Sequence, residues 1–114
     1  MSILSSSSMS GDKVVNRDGD SLGEVKDLMI DLESGRVVYV VLEFGGFLGM
    51  GSKLFAVPLS AMQVDSTNHQ FIFDQRKEKL ENAPGFDKDN WPDFSDRTWG
   101  SDIHAYYGVT PFWN

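Results

Sequence analysis

Alternating apolar and polar residues predict six short β-strands in the first two thirds of the chain. The strand-like runs are Lys13 to Val15, about Leu22 to Leu32, Arg36 to Phe44, Lys53 to Leu59, Met62 to Asp65 and Gln70 to Asp74. These runs are rich in β-branched and aromatic residues, and turn-forming pairs such as Asp18-Gly19 and Ser34-Gly35 separate them. Short strands with turns roughly every ten residues are typical of a small barrel or sandwich. We therefore predict a mainly β fold of about six strands, arranged as a small antiparallel barrel or sandwich.

The second run contains a break in its alternation. Val25 is followed by apolar residues at Leu28, Ile30 and Leu32, so the apolar phase changes near Lys26-Asp27. Side chains alternate between the two faces of a strand with a period of two residues. The pattern therefore predicts either a bulge at this point or apolar contacts on both faces.

Three segments of this region together carry a set of residues that is typical of a known fold. They are Gly23 to Asp27 with Ile30-Asp31, Gly35-Arg36-Val37 with Tyr39 to Val41, and Phe55 to Leu59 with Met62. Together they resemble the PRC-barrel family, the β-barrel of the cytoplasmic part of the photosynthetic reaction-centre H subunit and of a ribosome-maturation factor. The resemblance runs from about Gly11 to Asp74 and implies a docking and assembly module, although a fold does not determine a function. The chain looks more like the small free-standing bacterial members, which is expected to mean that it lacks the membrane helix of the H subunit and the separate N-terminal domain of the ribosome factor.

The segment from Phe86 to Asn114 is unusually aromatic. It holds eight of the fourteen aromatic residues of the chain. Disordered segments are poor in such residues, because aromatic side chains bury enough surface to offset the entropy of ordering. We therefore expect this segment to be ordered and covered by other parts of the protein.

A helix is predicted within this segment. Ser95-Asp96-Arg97 can cap its start, and Gly108 ends it after Tyr107. Trp99, Ile103, Tyr106 and Tyr107 follow at helical spacings and form one aromatic face. This face either packs on the barrel of its own chain or also wraps a neighbouring subunit, since aromatic residues are favoured interface anchors. The free-standing relatives carry a similar tail, so the resemblance implies a homodimer.

The domain organisation follows from these patterns. Residues 1–10, with a run of serines from Ser5 to Ser8, are expected to form a flexible leader. The resemblance implies that residues 11–75 form a small antiparallel β-barrel of the PRC type. Residues 76–114 form a C-terminal aromatic extension that packs on the barrel, on a dimer partner, or on both. At its start, Arg76 to Asn82 predicts one or two helical turns that Ala83-Pro84-Gly85 ends.

A glycine-rich loop from Gly45 to Lys53 is a second candidate contact region. A phosphate loop needs Gly-Lys-Ser/Thr at the start of a helix, whereas Gly51-Ser52-Lys53 leads into a strand. Its apolar residues are either buried in the same subunit or exposed as a contact patch. The candidate interface residues of the chain are Phe47, Leu48, Met50, Trp91, Trp99, Ile103, Tyr106, Tyr107, Phe112 and Trp113.

Charge and composition narrow the classes of function. The formal net charge of -7 disfavours direct contact with nucleic acid or anionic lipid. The chain has no cysteine, and therefore no disulfide framework or thiolate nucleophile. It has no apolar run of about twenty residues and no signal-peptide pattern, so we expect no membrane span and a cytoplasmic location.

No residues assemble a recognisable catalytic or metal site in the sequence. His69 and His104 lie far apart and belong to no catalytic or metal-binding motif. Asn16, Asp18 and Asp20, with Asp27, partly mimic a calcium loop, but they lack its glycine and its bidentate glutamate. We therefore predict no catalytic residue, no cofactor and no metal ligand.

The preferred hypothesis is a non-enzymatic protein-interaction or assembly module that forms a homodimer and docks on an unknown protein partner. One alternative is a module that binds a small ligand or metal ion between the barrel and the tail. A second is an accessory protein in RNA processing or ribosome maturation, which resembles the role of the ribosome factor.

Overall fold

The structure of the protein is a computed structural model that describes residues 2–45 and 53–114. The strands are β1 (Lys13–Val15), β2 (Ser21–Asp31), β3 (Arg36–Phe44), β4 (Lys53–Pro58), β5 (Gln63–Asp65) and β6 (Gln70–Ile72). The helices are α1 (Ser6–Met9), α2 (Lys77–Glu81) and α3 (Arg97–Tyr107), and a 3₁₀ turn spans Leu59–Ala61. The six predicted strands are confirmed, and the predicted bounds of β1 and β3 are the observed ones.

The six strands form one mixed sheet in the order β4-β3-β2-β1-β6-β5. Neighbouring strands pair antiparallel except β1 and β6, which run parallel, with Val14 opposite Phe71. The prediction of a wholly antiparallel sheet is therefore wrong at this pair. Turns specify the direction of strands that follow each other in the chain, whereas β1 and β6 meet through a long-range contact that no turn determines.

The prediction of a closed barrel is also wrong for the described residues. The outer strands β4 and β5 follow each other in the chain, yet they do not pair with each other within residues 2–45 and 53–114. Instead the edge of β4 bonds to the tail, since the backbone groups of Leu54 and Phe86 exchange two hydrogen bonds of 2.9 Å. The C-terminal segment thus protects an edge that barrel closure would otherwise remove.

The predicted break in β2 is confirmed as a bulge. Val25 pairs with Leu42 and Asp27 with Val41, so two positions of β2 oppose one position of β3. Gly23 precedes this bulge with a positive φ of 108°, and a Cβ atom there would lie 2.0 Å from a backbone carbonyl oxygen of β3. Only glycine is compatible with so close an approach of the two strands.

The core is centred on β3 and β4, where every residue from Val38 to Leu42 and from Leu54 to Val57 is buried, so both faces of these strands are covered. The aliphatic residues of β3 and β4 form it together with Phe71, Phe73, Leu80, Ile103 and Tyr107. α3 packs against β4 and contributes the last two of these residues. The predicted limits of α3 are confirmed, because the Asp96 carboxylate accepts from the N–H of Thr98 and Gly108 ends the helix in the left-handed conformation.

Candidate interaction surface

Tyr39 of β3 is the centre on which the aromatic tail packs. Its ring lies within 5.4–5.7 Å of the rings of Phe94, Trp99, His104 and Phe112, measured between centroids. Tyr39 is 1% exposed, and its burial raises the pKa of the phenol to about 12. Its hydroxyl has no hydrogen-bond partner among the described residues. One strand residue therefore holds four rings that are distant from it in the sequence.

The helical aromatic face predicted from the sequence packs on the core of its own chain. Ile103 and Tyr107 are buried in the core, and the Tyr107 ring lies 5.6 Å from that of Phe73. Burial also raises the pKa of Tyr107. Trp99 and Tyr106 are half-buried. This arrangement corresponds to the first alternative given for α3, in which the helix packs within its own subunit.

Tyr106 connects α3 to α2 through two contacts with Lys79. Its hydroxyl donates to the Lys79 carbonyl oxygen at 2.6 Å, and the Lys79 ammonium lies 4.3 Å from the centre of its ring. These contacts hold α3 against α2, which lies directly before the tail in the sequence.

The last residues fold back over α3. Phe112 and Trp113 lie against the buried ring of His104, at centroid distances of 5.8 and 5.5 Å. The guanidinium of Arg97 covers the Trp113 ring at 5.5 Å, and Arg36 donates to the Phe112 carbonyl oxygen at 3.4 Å. Two arginines, one from the sheet and one from the helix, therefore hold the end of the chain in place.

An open groove separates this C-terminal segment from the β2–β3 hairpin, and we name it the hairpin–tail groove. Its volume is about 450 Å³. Met29 and Val38 line the hairpin wall, and Phe94, Phe112 and Trp113 line the tail wall. Aromatic and aliphatic side chains therefore share the groove with polar surface of about equal extent.

Charged residues surround the groove on both walls. Asp31 and Glu33 lie on the hairpin side and Arg97 on the tail side. The Ser34 hydroxyl donates to Asp31 at 2.7 Å, and this hydrogen bond is the main cause of a lowered pKa of that carboxyl. None of these three charged groups forms an ion pair within the described part of the chain, where Arg17 pairs with Asp74. Their charges are available to a partner.

Large exposed hydrophobic side chains concentrate around the groove. Ile30 is 53% exposed and Leu32 is 91% exposed, and both line the groove at the tip of the hairpin. Trp91 is 39% exposed and packs on Phe94, with 6.1 Å between the ring centroids. Three of the six exposed large hydrophobic residues in the described chain therefore lie in or beside this groove. An exposed apolar cluster with a polar rim is characteristic of a contact surface.

The interface candidates named from the sequence fall into three groups. Trp91, Phe112 and Trp113 lie in or beside the groove, whereas the four α3 residues are buried or half-buried against the same chain. Phe47, Leu48 and Met50 lie outside the described residues.

Sequence reasoning missed Ile30, Leu32, Phe94 and Arg97 as residues of this surface. For the first two a signal was present, because they are apolar residues on either side of Asp31 directly before a turn. Nothing in the local sequence joins them to the tail, since Phe94 and Arg97 follow more than sixty positions later.

The residues considered for chemistry lie elsewhere or have structural partners. The Asn16 side-chain oxygen accepts from the N–H groups of Asp18 and Asp20, which builds a tight turn. His104 is buried, with Nδ1 2.6 Å from the Gly100 carbonyl oxygen, while His69 is exposed on the turn between β5 and β6. Within residues 2–45 and 53–114, no three His, Cys, Asp or Glu side chains form a group that could hold a metal ion. In the same ranges, no helix is long and apolar enough to span a membrane.

The fold and the surface together define a small β-sheet protein with an aromatic C-terminal cover. A comparison with known families matches residues 1–80 to the PRC-barrel domain. The match covers more than half of the chain, and the protein belongs to the PRC-barrel family. A comparison with curated proteins found no match. The tail from Phe86 onward lies beyond the family match, so the hairpin–tail groove combines one wall from the family domain with one wall from outside it.

Proposed function

We propose that this protein is a non-enzymatic interaction module that forms a homodimer and offers its surface to a further protein. The observation that carries the proposal is the concentration of exposed apolar side chains, unpaired charges and aromatic rings at the hairpin–tail groove. Aromatic residues and arginine are enriched where proteins bind each other.

The packing of the tail supports this proposal. Most of its aromatic residues complete the core of the same chain, and the groove is a place where apolar surface remains accessible. A surface built from two packed elements is pre-organised, so binding there requires little additional ordering of the chain.

Sedimentation velocity of the full chain tests the proposal. The expected result is a concentration-dependent rise from the mass of one chain, 12.7 kDa, to twice that value. A single species of 12.7 kDa up to about 1 mM, where even weak association gives a dimer, contradicts the homodimer.

A second candidate function is the binding of a small organic ligand in the same groove. The volume of about 450 Å³ lies in the range of ligand pockets, and its walls combine aromatic rings with both signs of charge. A thermal-shift screen of metabolites tests this candidate. It predicts a specific rise in the unfolding temperature that Phe112→Ala abolishes, and a screen without any such rise argues against it.

A further inference from the structure

The hairpin–tail groove carries both a protruding group and a cavity on one surface. Leu32 extends from the tip of the hairpin, while Phe112 and Trp113 line the groove directly beside it. A twofold dimer uses the same patch on both subunits, so that a projection on each copy enters a recess on the other. The arrangement at this groove meets that requirement within one patch.

We propose that the occupant of the groove is a second copy of this chain, with Leu32 of each copy in the groove of the other. This inference rests on the proposed homodimer and specifies its interface. Each Leu32 would lose its contact with water and pack on the aromatic tail wall of the other copy. Burial of a fully exposed leucine is strongly favourable, and the twofold arrangement provides this gain twice.

The distribution of charge supports a second copy as the occupant. The chain as a whole carries a formal charge of -7, and charge of one sign opposes self-association. The groove region differs, because Arg97 lines it together with Asp31 and Glu33, and Arg36 bonds to the backbone of Phe112 at its edge. Two copies that meet at this patch therefore bring together surfaces that carry both signs of charge.

The same charges have a complementary placement across the proposed interface. Glu33 follows Leu32 on the hairpin, and Arg97 lies over the Trp113 ring on the opposite wall. When Leu32 enters the other groove beside Trp113, Glu33 comes next to the partner's Arg97. The twofold axis repeats this contact, so the dimer contains two such pairs.

The first experiment measures the dimer dissociation constant of the full chain by sedimentation velocity, with and without Leu32→Asp. We expect the substitution to raise the constant about a hundredfold or more, because two buried leucines are lost. Ile3→Asp is the matched control: Ile3 is 83% exposed, lies outside every helix and strand, and does not line the groove. It introduces the same charge and should leave the dimer dissociation constant within about twofold of the wild-type value. Circular dichroism verifies that both variants remain folded.

The second experiment tests the charge contact between copies rather than within one. E33R and R97E, each alone, place like charges at both contacts and should weaken the dimer about tenfold. An equimolar mixture of the two variants restores opposite charges at both contacts of the mixed dimer. The mixture should therefore be more dimeric than either variant alone, which a contact within one chain would not produce.

The outcomes separate this inference from the proposed function. A dimer that is unaffected by Leu32→Asp, or weakened equally by Ile3→Asp, overturns this interface and leaves a homodimer through another surface. A mixture no more dimeric than its components also overturns the arrangement. A monomer at all concentrations overturns the interface and the proposed homodimer together, and leaves the groove to a small ligand or a different protein.

Discussion

Removal of the Tyr39 side chain should detach the aromatic tail from the sheet and strongly destabilise the fold. Tyr39 is 1% exposed and contacts four rings of the tail, so Tyr39→Ala leaves a large cavity at the centre of that cluster. Truncation of a buried aromatic residue to alanine lowers the free energy of unfolding by about 3–5 kcal/mol. Since the total free energy of unfolding of small domains is about 5–15 kcal/mol, the variant should be marginally stable.

Two conservative variants separate the ring from its hydroxyl. The Tyr39 hydroxyl is buried without a partner in the described residues, so Tyr39→Phe should leave the stability unchanged or raise it by up to about 1 kcal/mol. Tyr106→Phe is the matched control, since its hydroxyl donates to the Lys79 carbonyl oxygen at 2.6 Å. Loss of that hydrogen bond should lower the stability by about 1 kcal/mol. The same chemical change therefore has opposite expected signs at the two positions.

Urea denaturation with two probes measures these effects. All three tryptophans, Trp91, Trp99 and Trp113, lie in the tail, so their fluorescence follows the tail, whereas far-ultraviolet circular dichroism follows the secondary structure of the sheet and the helices together. The two transitions should coincide in the wild-type chain, because tail and sheet share one core. The reasoning is refuted if Tyr39→Ala lowers the stability by less than about 1 kcal/mol, or if Tyr39→Phe is as damaging as Tyr106→Phe.

Three further predictions concern the sheet, the tail and the effect of pH. Gly23→Ala should lower the free energy of unfolding by at least about 2 kcal/mol in urea denaturation, because its Cβ would lie 2.0 Å from a backbone oxygen. Gly19→Ala, with a φ of 86° but nothing within 4 Å, should be less damaging, and equal losses would contradict the close-approach argument. Deletion of residues 86–114 removes Ile103 and Tyr107 from the core and should abolish the cooperative thermal transition, so a sharp transition in the fragment would show that the tail is dispensable. The pKa of Tyr39 is raised from 10.0 to about 12, so its contribution to stability is present below pH 10 and is lost as the pH rises toward 12. Urea midpoints measured above pH 10 should fall less steeply in Tyr39→Phe than in the wild type, and parallel slopes would contradict the assignment.

The strands were predictable from the sequence because their information is local. The apolar run of β3 and the phase change at Lys26-Asp27 both follow from the period of two residues, and the structure places a strand and a bulge there. The caps of α3 were predictable for the same reason, since Asp96 and Gly108 act on neighbouring backbone groups.

Contacts between distant segments were not predictable in this way. The parallel pairing of β1 with β6 and the bond between Leu54 and Phe86 join residues far apart in the chain. The same limit applies to Tyr39, which looks like one of several apolar residues of β3 until four rings of the tail pack around it. The hairpin–tail groove exists only because of such contacts, and local patterns therefore indicated its aromatic wall without its hairpin wall.

Hydrogen–deuterium exchange at low and high protein concentration tests most directly whether the hairpin–tail groove is the surface through which two copies of this protein bind each other. The account predicts that amide exchange in residues 29–33 and 109–114 slows as the concentration rises, because the second copy covers both walls of the groove. Exchange in residues 63–70, which include β5 and lie outside the groove, should not change. Exchange that is independent of concentration throughout, or protection that develops only in residues 63–70, would contradict the central claim.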